Sequence, residues 1–135
     1  MPAVAQAPRE ARDRDWGPSG QSWQRAGELV AQMSLEQRAG HVIVGAYGGL
    51  EPPVDLVRDL GLAGVILMGD NVPSGSDSGA ALARTTQRLQ AALDRPYPLI
   101  VSVDQEGGPV ARVGPPATQF PPGMAHGAAD DTDVS

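Results

Sequence analysis

The 135-residue sequence contains no cysteine. A disulfide framework, a thiolate metal centre and a cysteine nucleophile are therefore excluded. It contains no lysine either. All ten basic residues are arginine, set against sixteen acidic ones, for a formal net charge of −6. That balance argues against a protein that grips a nucleic-acid backbone, which presents a basic face. No apolar run approaches the roughly 18 residues of a membrane span. Aromatic residues make up only 4% of the chain, so its core must be aliphatic. Glycine and proline are plentiful instead, with 17 and 13 residues, which implies many turns and loops. The length suits one domain rather than two.

Residues 1–22 differ from the rest. They hold Pro2, Pro8 and Pro18 and a charged stretch from Arg9 to Asp15, without apolar periodicity. This segment reads as a disordered leader. Ala5-Gln6-Ala7 has the small-x-small form of a signal-peptidase site, but the basic and apolar regions that should precede it are missing. The chain reads as cytoplasmic as written, and as exported if a signal segment lies upstream of Ala7.

From Trp23 onward the pattern is regular. Trp23, Ala26, Val30 and Met33 recur at helical spacing. Ser34-Leu35-Glu36-Gln37 has capping-box form and predicts a second helix ending near Gly40. His41-Val42-Ile43-Val44 predicts a strand, residues 54–60 a helix, Gly64-Val65-Ile66-Leu67-Met68 a strand, residues 77–93 a helix, and Pro98–Val103 a third strand. Alternating strands and helices predict an α/β fold with parallel strands and helical crossovers. Near-continuous apolar strands fit a sheet covered on both faces. Residues 105–129 read as a long irregular segment rich in glycine and proline, followed at Asp130-Asp131-Thr132-Asp133 by a helix N-terminus.

Asp104-Gln105-Glu106-Gly107-Gly108 directly follows the most apolar strand. In parallel α/β folds, ligands meet the carboxyl ends of strands. Asp104 and Arg112 are suited to bracket a polyhydroxylated ligand. A carboxylate accepts from hydroxyls, and a guanidinium donates in a fixed fork. The structural alternative is a buried Asp104–Arg112 pair that ties the loop down, and residue types alone leave the two evenly weighted. The two glycines would let backbone approach a ligand at positive φ. Asp104 with Glu106 as an acid/base pair, or as a D-x-E metal site, is weaker, because further matched groups are absent. No metal or cofactor is expected. Asn71, after Gly69-Asp70, either lines a site or makes a turn. His41 reads as a hydrogen-bonded structural histidine, His126 as an exposed loop residue, Trp23 as a staple of the first helix and Trp16 as part of the leader. Dinucleotide, phosphate-loop, zinc-protease and serine-hydrolase motifs are absent.

The stretch Pro98–Gly108, followed by Val110-Ala111-Arg112, resembles the signature of glycoside hydrolase family 3, and most of all its β-N-acetylhexosaminidases. Three further segments agree in order and spacing. Met33–Gly40 resembles the family's opening helix, Gly64–Met68 with Asn71 its second strand, and Thr118-Gln119-Phe120-Pro121 its Thr-x-Phe-Pro stretch. The resemblance implies a (β/α)8 barrel of the TIM type, of which residues 23–135 would supply the N-terminal part, about three βα units. It implies a retaining mechanism without a cofactor, a carbohydrate substrate, and Asp104 and Arg112 as the residues that hold the sugar. The family's Lys-His motif has no counterpart, and the nucleophile and acid/base are expected beyond Ser135. The chain alone is therefore expected to carry substrate-holding residues and to lack hydrolase activity, whereas saturable sugar binding by the folded chain would favour a non-catalytic module. Pro109 departs from the family, where arginine is frequent. A β-glucosidase of the same family, a non-catalytic sugar-binding module and an unrelated doubly wound domain are the alternatives.

Overall fold

The computed structural model describes residues 16–129 and Asp133. Ala5-Gln6-Ala7, most of the expected leader and nearly all of the expected C-terminal helix start lie outside these residues. The chain divides into two compact units, residues 1–39 and 40–135.

In the first unit, α1 spans Gly20–Gln32, so the last three residues of the expected leader are helical. The Ser19 hydroxyl caps it, accepting from the Ser22 N–H at 3.1 Å. A second helix, α2 (Leu35–Gly40), begins with the reciprocal cap expected from its sequence. The Gln37 N–H donates to Ser34 Oγ at 3.2 Å, and the Ser34 N–H donates to Gln37 Oε1 at 2.8 Å. Two orphan donors at the helix start are thereby satisfied.

The second unit is built on three parallel strands, β1 (Val44–Ala46), β2 (Gly64–Leu67) and β3 (Ile100–Val103), in spatial order β1-β2-β3. Helix α3 (Val54–Asp59) connects the first two strands and α4 (Ser78–Ala91) the last two. Sequential parallel neighbours joined through helices are the repeating unit of a TIM-type barrel, here as an open arc of three strands. Among the described residues no helix is long and apolar enough to cross a membrane.

Register pairs Gly45 with Val65 and Val65 with Val101. This row belongs to the core side. Val57 of α3, Leu89 of α4, Leu62, Val65 and Leu99 form one buried cluster, with Tyr47, Val54, Leu93 and Val101 packed against it. Burying each such aliphatic side chain contributes about 1.5–3 kcal/mol. The alternate row, Ala46–Ile66–Ser102, takes the opposite face by the two-residue period of a strand. Asp104 lies two residues beyond Ser102 and continues that parity. Gly64 is required by close packing, since a Cβ there would sit 2.4 Å from the Ile100 carbonyl oxygen.

Two expectations are corrected. The first strand begins at Val44 rather than His41. A turn holds the preceding residues, with the Ile43 N–H donating to the Gly40 carbonyl at 3.0 Å, and Val42 is left 84% exposed. An apolar β-branched run is thus spent partly on a turn, which follows a Gly40 packed too closely on the Leu60 and Gly61 carbonyls to admit a side chain. The segment 105–129 is not irregular throughout. It contains an antiparallel hairpin, β4 (Gln105–Gly107) with β5 (Val110–Ala111), and a helix, α5 (Gly123–Ala129).

Candidate functional site

Parallel strands bring their carboxyl ends to one side, so Tyr47–Gly49, Met68–Asn71 and Asp104 gather there. Asn71 ties the first two together. It is 1% exposed, its Oδ1 accepts from the Met68 N–H, and its Nδ2 donates to the carbonyls of Tyr47 (3.0 Å) and Gly49 (2.8 Å). Of the two roles open to Asn71, the structure shows the turn-forming one. Neighbouring Asp70 adds an acceptor for the Gly49 N–H at 2.9 Å. The Tyr47 hydroxyl is buried without a partner, and burial, with the Asp70 carboxylate second, pushes its pKa above the usual tyrosine value.

Beyond β3 the chain turns into the hairpin. Gln105 pairs with Ala111 and Gly107 with Val110, so Glu106 is the extra residue of a bulge and is exposed. A bulge re-aims the strand beside it. Gly108 (φ +56°) and Pro109 form the two-residue turn, with glycine at the first central position as a II′-type hairpin requires. The fixed φ of Pro109 suits the second position. Both glycines also permit contact with the chain itself. A Cβ on Gly107 would lie 2.5 Å from the Pro121 oxygen, and one on Gly108 2.8 Å from the Pro122 ring. The Gly108 N–H donates to the Phe120 carbonyl at 3.0 Å. The close backbone approach that these glycines allow is to residues 120–122.

Gln105, which sequence reading passed over, holds the return strand. Its Oε1 accepts from the N–H groups of Arg112 (2.9 Å) and Val113 (3.0 Å), and its Nε2 donates to the Val113 carbonyl (3.1 Å). A polar residue whose side chain extends a ladder past a strand of two residues carries no periodic signal.

Asp104 and Arg112 are each half-buried. Among the described residues no ion pair joins them, and no hydrogen bond or ion pair reaches the Asp104 carboxylate or the Arg112 guanidinium. The tying Asp–Arg pair is therefore not formed. Arg112 Nε is buried without a partner, and the side chain passes over Gly69 at the end of β2, where a Cβ would be 3.8 Å from its Cδ. Arg112 also borders a cavity of about 640 Å³ between the loops after β2 and β5, with Gly69, Ser74, Ser76 and Pro115 among its walls. Asp104 does not line it. Among the described residues no three His, Cys, Asp or Glu side chains are grouped to hold a metal ion. His41 sits at the opposite end of the sheet, where its Nε2 lies 2.8 Å from the Tyr97 hydroxyl. His126 lies in α5 rather than a loop. Trp16 is 72% exposed.

Residues 50–135 match the model described as the glycosyl hydrolase family 3 N-terminal domain. Among solved structures, the chain is similar to a glycoside hydrolase family 3 β-N-acetylglucosaminidase from a Paenibacillus species, at 31% identity and a TM-score of 0.65, over 76% of this chain and 20% of that one. It is similar to a fungal multi-domain β-N-acetylglucosaminidase of the same family, at 32% identity and a TM-score of 0.62, over 70% of this chain and 12% of that one. NagZ from Neisseria gonorrhoeae, in complex with N-trifluoroacetyl-D-glucosamine, shares the fold at 24% identity and a TM-score of 0.56, over 69% of this chain and 26% of that one. The chain thus spans about a fifth of the length of the Paenibacillus protein. No curated protein matches significantly.

Proposed function

The chain belongs to glycoside hydrolase family 3, and from that premise we propose that Asp104 and Arg112 hold the terminal sugar of a β-linked N-acetylhexosamine glycan. Residues 23–135 are read as part of the family's N-terminal barrel domain. The observation that carries the assignment is the pair of half-buried, oppositely charged groups left without partners at the carboxyl end of the sheet. A carboxylate accepts from two sugar hydroxyls, and a guanidinium donates to ring substituents. Both bonds are strengthened where water is partly excluded.

The reaction is hydrolysis of terminal β-N-acetylhexosamine residues from peptidoglycan- or chitin-derived glycans, with retention through a covalent glycosyl intermediate. The two similar structures above 30% identity are both β-N-acetylglucosaminidases, which supports this substrate over a glucoside. Asp104 and Arg112 position the ring. Neither residue is assigned as the nucleophile or the acid/base, and the proposed reaction needs no cofactor.

Calorimetric titration of the 135-residue chain with N-acetylglucosamine and with glucose tests the reading. Saturable binding that favours N-acetylglucosamine is expected. Asp104→Ala should weaken it about 10- to 100-fold, the worth of hydrogen bonds to a charged group. An aryl N-acetyl-β-glucosaminide should not turn over. Preference for glucose would move the assignment to the β-glucosidases, and a folded chain that binds neither sugar would overturn it.

A further inference from the structure

We propose that Gln105 is a positioning residue for the sugar site, setting where Arg112 stands relative to Asp104; this rests on the sugar-binding reading of those two residues. β5 ends at Ala111, so the N–H groups of Arg112 and Val113 have no strand to pair with. The Gln105 side chain takes the strand's place, accepting from both and donating to the Val113 carbonyl. Gln105 is bonded in the chain directly to Asp104. Its amide therefore links the backbone that carries the carboxylate to the backbone that carries the guanidinium. No ion pair does this work, since the two charged groups do not meet. The ladder register also shifts between Gln105 and Gly107, so the hairpin holds only two paired positions. A device of this kind leaves both charged groups free for a ligand while fixing their separation.

A second glutamine provides the control. Gln119 Nε2 donates to the carbonyls of Val113 (3.2 Å) and Ala117 (2.8 Å), bracing the same loop without bonding to Arg112. Gln105→Ala, Gln105→Glu and Gln119→Ala are compared with the parent chain by N-acetylglucosamine titration and by urea unfolding. Gln105→Ala should weaken binding about tenfold or more, as small misplacements of a positioned group do. Gln105→Glu keeps an oxygen for both N–H groups but loses the donor to the Val113 carbonyl, and should bind between the parent and Gln105→Ala. Gln119→Ala should lower the urea midpoint and leave binding unchanged.

Parent-like binding by Gln105→Ala, or an equal loss in Gln119→Ala, would overturn the proposal while the sugar site stands. Gln105→Glu as weak as Gln105→Ala would overturn it too, and this comparison holds even if the alanine variant loses its fold. If the parent chain and Asp104→Ala bind alike, the sugar-site reading fails and this inference with it.

Discussion

The two ends of the sheet each carry an arginine, and they use it in opposite ways. At the amino end, Arg95 donates to the carbonyls of Leu62 (2.9 Å) and Ala63 (3.4 Å) and lies 5.0 Å over the Tyr97 ring. Tyr97 in turn meets His41, both by its hydroxyl and edge to face. Burial, partly offset by Tyr97, lowers the Arg95 pKa. At the carboxyl end, Arg112 and Asp104 have no such partners. Both arginines keep a buried Nε unpaired, but only Arg95 has its terminal nitrogens engaged. The amino end is a closed structural knot, whereas at the carboxyl end Asn71, Asp70 and Gln105 hold the loops and leave the Asp104 and Arg112 side chains unpartnered. In barrels of this type the same division separates stability from chemistry.

The largest break should come from Asn71→Ala. It leaves the Met68 N–H and the Tyr47 and Gly49 carbonyls unsatisfied, at a cost of about 3 kcal/mol in urea unfolding. Sugar affinity should fall with it, since the carboxyl-end loops lose their tie. Gly107→Ala follows. A left-handed φ of +88° and a Cβ against the Pro121 carbonyl should cost about 2–3 kcal/mol, read as a lower thermal midpoint. Arg95→Ala sharpens the contrast: about 1–2 kcal/mol of stability lost, with N-acetylglucosamine affinity unchanged.

The smallest effect is at Tyr47. Its hydroxyl has no partner, so Tyr47→Phe should change stability by less than about 1 kcal/mol at neutral pH. The pH dependence has a definite sign. Because the folded pKa is raised above 10.0, the folded state holds its proton where the unfolded state has lost it. Stability is then intact below the ordinary tyrosine value and falls as pH climbs through the folded one. Unfolding curves at alkaline pH should show this loss in the parent and a smaller one in Tyr47→Phe.

The regular elements were legible because each has a period or a cap. The Ser34–Gln37 box, the buried run of β2 and the Leu89 face of α4 lie where the sequence implies. Asp104 was legible as a strand-end residue because it directly follows the most apolar strand. What escaped notice depends on close approach rather than on pattern. Nothing periodic marks a two-residue strand such as β5, a glycine chosen to admit residues 120–122, or a glutamine that extends a ladder. His41-Val42-Ile43 reads as strand because β-branched residues favour one, but a turn closed by the Ile43 N–H on the Gly40 carbonyl takes those residues instead. An eight-residue spacing likewise did not decide whether Asp104 and Arg112 pair, which depends on side-chain geometry that spacing does not carry.

A sugar received by the unpartnered groups at the carboxyl end would have to change the surroundings of the Arg112 guanidinium. The most direct measurement is the Arg112 Nε–H resonance in the 135-residue chain during titration with N-acetylglucosamine, with Arg95 Nε–H as the internal reference. The account predicts a saturable shift at Arg112, absent in Asp104→Ala, while Arg95 stays in place. An Arg112 signal that does not move at saturating sugar, or one that moves no more than that of Arg95, would contradict it.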